Sequence, residues 1–191
     1  MIQKCNYLLF VSVFFALIVS IPSTTHAQCD SWEAHPDGKE SAMEQHVIYR
    51  RLFEQKKYAE AFPIWEKLFA SVTSPKESKT VHFKDGINMY KAFAKEEKDK
   101  DKKKELVTKM MKLYDDMAAC LGEKSYDRAR EGYNIYAVRG PKAEAIKMFE
   151  RSIELGKQET HNMVLVPMAQ LTVFMFKRKN PDFNDDYMRK L

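Results

Sequence analysis

Glycine and proline are scarce here, six and seven in 191 residues. That scarcity argues against a many-turned β fold and suits long helices. Three cysteines are too few for a disulfide-built scaffold. Charge of one sign is lacking too. The 32 basic and 27 acidic residues are interspersed, the net charge is only +5, and no polybasic tail marks a nucleic-acid binder. Motifs for catalysis are missing: there is no H-E-x-x-H and no glycine-rich phosphate loop. The five histidines (His26, His35, His46, His82, His161) have no metal-ligand spacing with one another or with the cysteines. Cys120 follows Ala118 and Ala119 near a helix end and reads as a packed thiol rather than a nucleophile. The eleven methionines read as core filler rather than a copper site. No catalytic residue, metal or cofactor is therefore expected, and the chain reads as a non-enzyme.

What is present begins at the N-terminus. A polar start with Lys4 precedes a nearly continuous apolar run of fourteen residues, Leu8 to Ile21. About 20 residues are needed to cross a bilayer. Thr25-His26-Ala27 then places small residues where a signal peptidase reads. Residues 1–27 are expected to be a cleaved signal peptide, which sends the protein to the periplasm or cell envelope and limits membrane contact to that segment. Cys29 follows Gln28 rather than a small residue, which argues against lipid attachment. Cys5 leaves with the signal. Cys29 and Cys120 remain, either as a disulfide formed in an oxidising compartment or as two separate thiols. Residues 28–42 read as an extended leader with a Pro36-Asp37-Gly38 turn.

From about residue 43 the apolar period is helical. Val47, Ile48, Leu52 and Phe53 mark one helix, and Tyr58 to Phe69 a second, with Pro63 inside it. A third spans Val81 to Ala94. The charged stretch 95–105 reads as a solvated turn before a fourth helix carrying Leu106, Met110, Leu113, Tyr114 and Met117. Ser125 is the expected cap of a fifth, with Ala129, Tyr133 and Tyr136 facing inward. A sixth follows Pro141 and carries Ala145, Ile146, Phe149, Ile153 and Leu155. A seventh, Glu159 to Phe176, is expected to kink at Pro167. Tyr187-Met188 begins a short eighth. The expected fold is all-α, about seven helices joined as antiparallel helix–turn–helix units.

Two of these units share a skeleton. Ala61-x3-Trp65 follows Lys57-Tyr58-Ala59-Glu60, and Ala145-x3-Phe149 has Tyr136 nine residues before its alanine. This resembles the tetratricopeptide (TPR) repeat family over residues 43–176, and the phrase Tyr58-Ala-Glu-Ala-Phe-Pro-Ile-Trp65 is similar to exported TPR proteins of Bacteroidota-type bacteria. The resemblance implies a TPR-like α-solenoid over 43–191. Arrays in such proteins usually run longer, so the chain reads as a short or C-terminally truncated member. The middle unit departs from the 34-residue period, and Tyr49 and Tyr133 stand at the skeleton's glycine.

The resemblance also implies a concave groove lined by the first helix of each unit. Counting from the alanine anchors, its residues are Met43, His46, Arg50 and Phe53 in the first unit and Asp127, Arg130 and Asn134 in the third. Arg130 and Asn134, four apart, share a helix face suited to gripping a peptide's terminal carboxylate. The functional expectation is a scaffold or adaptor whose partner is a protein or peptide. The alternative is an envelope binding protein for a small molecule or glycan, using Trp32, Tyr49, Tyr90 and Tyr133.

Overall fold

A computed structural model describes residues 29–190. The expected signal peptide, and Gln28 of the leader, lie outside the described residues. These contain eight α-helices and no strand: α1 (Gly38–Glu54), α2 (Tyr58–Phe69), α3 (Val81–Glu96), α4 (Lys100–Leu121), α5 (Ser125–Ala137), α6 (Lys142–Gly156), α7 (Leu165–Lys177) and α8 (Asp185–Lys190). The all-α expectation holds. Each of the first six helices packs chiefly on its chain neighbour, in the pairs α1/α2, α3/α4 and α5/α6, with α2 against α3, α4 against α5 and α6 against α7 joining the pairs. Connections of three or four residues force each pair antiparallel.

Two of these connections are built alike. At the end of α1, Lys57 N donates to Leu52 O and Lys56 N to Phe53 O, with Lys56 at φ 59°. At the end of α5, Gly140 N donates to Ile135 O and Arg139 N to Tyr136 O, with Arg139 at φ 57°. Both are Schellman turns, in which one left-handed residue lets two backbone amides close the last helical carbonyls. The end of α7 repeats the pattern through Lys179 and Asn180. In all three a lysine or arginine occupies the position that glycine fills without strain.

The core is held by large aromatics pressed onto glycines. Ala61 and Trp65 of α2 are buried, and a Cβ on Gly86 of α3 would overlap the Trp65 indole and Leu113. Ala145 and Phe149 of α6 are buried likewise, and a Cβ on Gly132 of α5 would stand 2.7 Å from the Phe149 ring and 2.9 Å from the Ala145 carbonyl oxygen. Gly86 thus sits mid-helix because the two helices approach too closely for a side chain.

Several local expectations are corrected. The first helix begins at Gly38, inside the expected leader, and Val47 and Ile48 are exposed while Ala42 and Tyr49 face the core. The charged stretch 95–105 is mostly helix. Asp99 caps α4 by accepting from the amides of Asp101 and Lys102, so only 97–99 form the turn. Ser125 is not a cap. It lies inside α5, and its hydroxyl donates to Ser152 O across the α5/α6 pair. Tyr133 is exposed rather than inward. Residues 157–164 form two 3-10 turns, so α7 starts at Leu165 and Pro167 falls in its first turn, where a missing N–H leaves no broken bond and no kink follows.

The leader is folded onto the helices. A disulfide joins Cys29 to Cys120 at the end of α4, with Cα atoms 5.4 Å apart. Asp30 N donates to Thr73 Oγ1, Ser74 N to Asp30 O, and the Trp32 indole N–H to Glu77. Trp32 is thereby buried edge-on against His46 and His82.

Candidate binding cleft

Three helices form a cleft beside the expected groove residues. Lys84, Ile87 and Asn88 of α3 face Tyr126, Asp127 and Arg130 of α5, over Tyr114 and Met117 of α4, around about 210 Å³. Lys84 and Asn88 are four apart, as are Tyr126 and Arg130, so each pair stands on one helix face. Arg130 lies over the Tyr126 ring at 6.0 Å. At the floor, Asn134 Nδ2 donates to the Tyr114 hydroxyl at 2.8 Å, which leaves the phenolic proton free to donate. Burial raises the Tyr114 pKa, so the phenol stays protonated.

The charges here are unneutralised. Among the described residues Lys84, Lys91 and Arg130 form no ion pair, whereas Arg50, Arg128 and Arg151 each pair with at least two carboxylates. Burial holds the half-buried Lys91 ammonium below its ordinary pKa, and Arg130 and then Lys95 lower it further. Lys84 and Arg130 are the two cations lining the cleft, with Asp127 its single acid. The chemistry on offer is a set of N–H and O–H donors with net positive charge, which suits an anion.

The expected groove residues divide. Asp127 and Arg130 line the cleft. Asn134 does not present itself to solvent: it is 1% exposed, bonded to Tyr114, and its Oδ1 has no partner. The reason is register. The α1/α2 connection is 55–57, but the α5/α6 connection is 138–141, one residue longer. Counting back from Ala145 therefore slips by one. Aligned on the left-handed turn residues Lys56 and Arg139, Tyr49 matches Gly132, and exposed Met43 matches exposed Tyr126.

In the first unit Met43 is exposed, but the others are engaged. Arg50 donates twice to Asp85, at 2.9 and 2.8 Å, and once to Glu54, so its fork is occupied. The Tyr49 hydroxyl donates to the same Asp85. His46 Nδ1 lies 2.9 Å from His82 Nε2, and His82 Nδ1 donates to Val72 O. Burial pushes His82 down to about 4, against the pull of the Val72 carbonyl, and His46 and Arg50 add to the fall. Phe53 packs on Tyr58, with Arg50 over its ring. This cluster ties α1 to α3 and is an internal contact rather than a groove surface. The aromatics of the alternative reading do not converge on the cleft. Trp32, Tyr49 and Tyr90 are buried, and Tyr133 stands exposed on α5.

No family model, curated protein or solved structure matches this chain. Lys84, Asn88 and Tyr114 were missed from sequence. The four-residue spacing of Lys84 and Asn88 on a predicted helix was the available signal, but their unit matches the repeat skeleton worst.

Proposed function

We propose that the protein is an exported, TPR-like adaptor that binds a protein or peptide partner and catalyses nothing. Its cleft between α3 and α5 takes a carboxylate of that partner, with Arg130 and Lys84 as cationic donors and Asn88 and the Tyr114 hydroxyl completing the set. The observation that carries this reading is the contrast in pairing: Arg130 and Lys84 face one cleft without an ion pair among the described residues, in a molecule whose half-buried Arg50 and Arg128 are neutralised internally. A charge-assisted hydrogen bond to such a carboxylate contributes about 1.5–3 kcal/mol. Export rests on the Leu8–Ala27 segment.

The test is a peptide array presented in two forms, free C-terminal carboxylate and C-terminal amide, probed with wild type and a Lys84→Gln/Arg130→Gln variant. The expected result is binding that prefers the free carboxylate, weakens with salt and is lost in the variant. Equal binding of both forms, or full retention in the variant, sinks the carboxylate reading. The small-molecule or glycan alternative gains support only if a soluble ligand protects Tyr133 or Tyr126 from modification without any peptide present.

A further inference from the structure

Helix α7 is apolar on both of its faces. Pro167, Met168, Leu171 and Thr172 are buried toward the rest of the protein. On the outer side Leu165, Ala169, Val173 and Phe176 follow at steps of four, four and three and make one stripe, with Val166 beside it. All five are exposed, Leu165 and Val166 by 66% and 64%. An outward helix face normally carries the polar residues, so a contiguous apolar one marks an interaction surface.

The charges within this stretch of chain are all of one sign. From Thr160 to Pro181 the chain has no acidic residue, and α7 runs into Lys177, Arg178 and Lys179. All three are exposed, and none forms an ion pair among the described residues. Lys142 Nζ and the Arg178 guanidinium lie over the Phe174 ring at 4.8 and 5.3 Å, which holds two cations at the edge of the stripe. Of the α8 acids, Asp186 pairs with Arg189, and Tyr187 anchors the helix by donating to Glu150 of α6.

We propose that the outer face of α7, with its Lys177–Lys179 rim, docks the protein onto an anionic phospholipid surface. No helix among the described residues is long and apolar enough to cross a membrane, so α7 would lie in the interface. A bilayer supplies what the surface needs together: an apolar phase for the stripe and anionic headgroups for the rim. A second copy of the chain supplies only the first, because its α7 brings the same acid-free face and the same cations. This contact is separate from the signal segment and independent of the α3/α5 cleft.

The test uses the full chain and its variants side by side, so that residues 1–28 contribute equally to each. Binding is measured by sedimentation with phosphatidylglycerol-containing vesicles and with pure phosphatidylcholine vesicles, and hydrogen exchange is followed by segment. The expected result is preferential binding to the anionic vesicles, with exchange slowed in 165–177. Lys177→Gln/Arg178→Gln/Lys179→Gln is expected to weaken it about a hundredfold, since each cation near an anionic surface contributes roughly a factor of five. Val166→Asp/Val173→Asp, both on the exposed face, is expected to remove the exchange protection of 165–177 while circular dichroism and Tm stay at wild-type values. Binding that ignores lipid charge, or exchange in 165–177 that vesicles do not slow, overturns the proposal. So does a wild-type dimer in light scattering that Val166→Asp/Val173→Asp converts to a monomer, which would assign the face to a second copy.

Discussion

Two arginines two residues apart on α5 live in opposite surroundings. Arg128 points to the α4/α6 side and meets three carboxylates, Asp115, Glu123 and Glu131. Arg151 adds a second cation to Glu123, whose carboxyl is held down at about 2, chiefly by that bond. Arg130 points into the cleft and meets a tyrosine ring, a phenol and other cations. The same residue type on the same helix is structural on one side and available on the other. What separates them is the supply of counter-charge.

Removing each arginine in turn should break the symmetry between them. Arg128→Ala leaves Glu131, 1% exposed, without its cation. Stranding a buried charge costs about 3–5 kcal/mol, so we expect a loss of that order in urea unfolding at pH 7–8. Arg130→Ala removes an unpaired cation from a crowded positive surface, and its stability should stay within about 0.5 kcal/mol of wild type. A large loss for Arg130→Ala would mean that it, too, is structural.

The pH dependence of stability separates two other regions. Burial lowers His82 to about 4 and raises Glu131 to about 7 despite Arg128. For His82 the unfolded chain binds the proton more tightly, so its contribution is present above pH 6.5 and is lost as pH falls toward 4. For Glu131 the folded protein binds it more tightly, so its contribution is present below about 4.5 and is lost as pH rises through 7. Each difference corresponds to about 3 kcal/mol, and the two oppose one another between pH 4.5 and 6.5. Wild type should therefore change little across that window. His82→Gln should gain stability on acidification and Glu131→Gln should lose it, as read from denaturation midpoints at pH 6.5, 5.5 and 4.5. Parallel profiles for the two variants would show that neither group titrates as its burial implies.

The helices themselves were legible because their apolar periods are long. What the sequence hid was set by contacts between units. Arg50 looks like a free groove cation until Asp85, 35 residues on, takes its Nη1 with both carboxylate oxygens and Glu54 takes its Nη2. Asn134 looks exposed until the connection before α6 proves one residue longer than the one before α2. Lys84 and Asn88 were on the page as a four-residue pair. Their significance depends on α5 lying opposite, which no local pattern states. The pairing of Cys29 with Cys120 is of the same kind, a fact of geometry across 91 residues.

The smallest predicted gain in stability probes the feature the pairs share. Lys56, Arg139 and Lys179 hold φ between 54° and 59° at equivalent places in three helix ends. A side chain in that conformation costs about 1 kcal/mol relative to glycine, which has no Cβ to strain. Glycine also loses more entropy on folding, which offsets part of the gain. Each Gly substitution is therefore expected to stabilise the protein by about 0.5–1 kcal/mol, in contrast to the loss expected of a helix-interior glycine. Because the three sites are far apart in sequence and share no partner, their effects should add in the triple variant. The Lys56→Gly and Arg139→Gly effects should agree with each other more closely than either does with Lys179→Gly, whose turn leads to the short α8 rather than to a full helical partner. If all three destabilise, the left-handed residues are held by contacts of their side chains rather than by the turn. The correspondence of Lys56 with Arg139, and with it the one-residue register that separates Arg130 from Asn134, would then lose its physical basis.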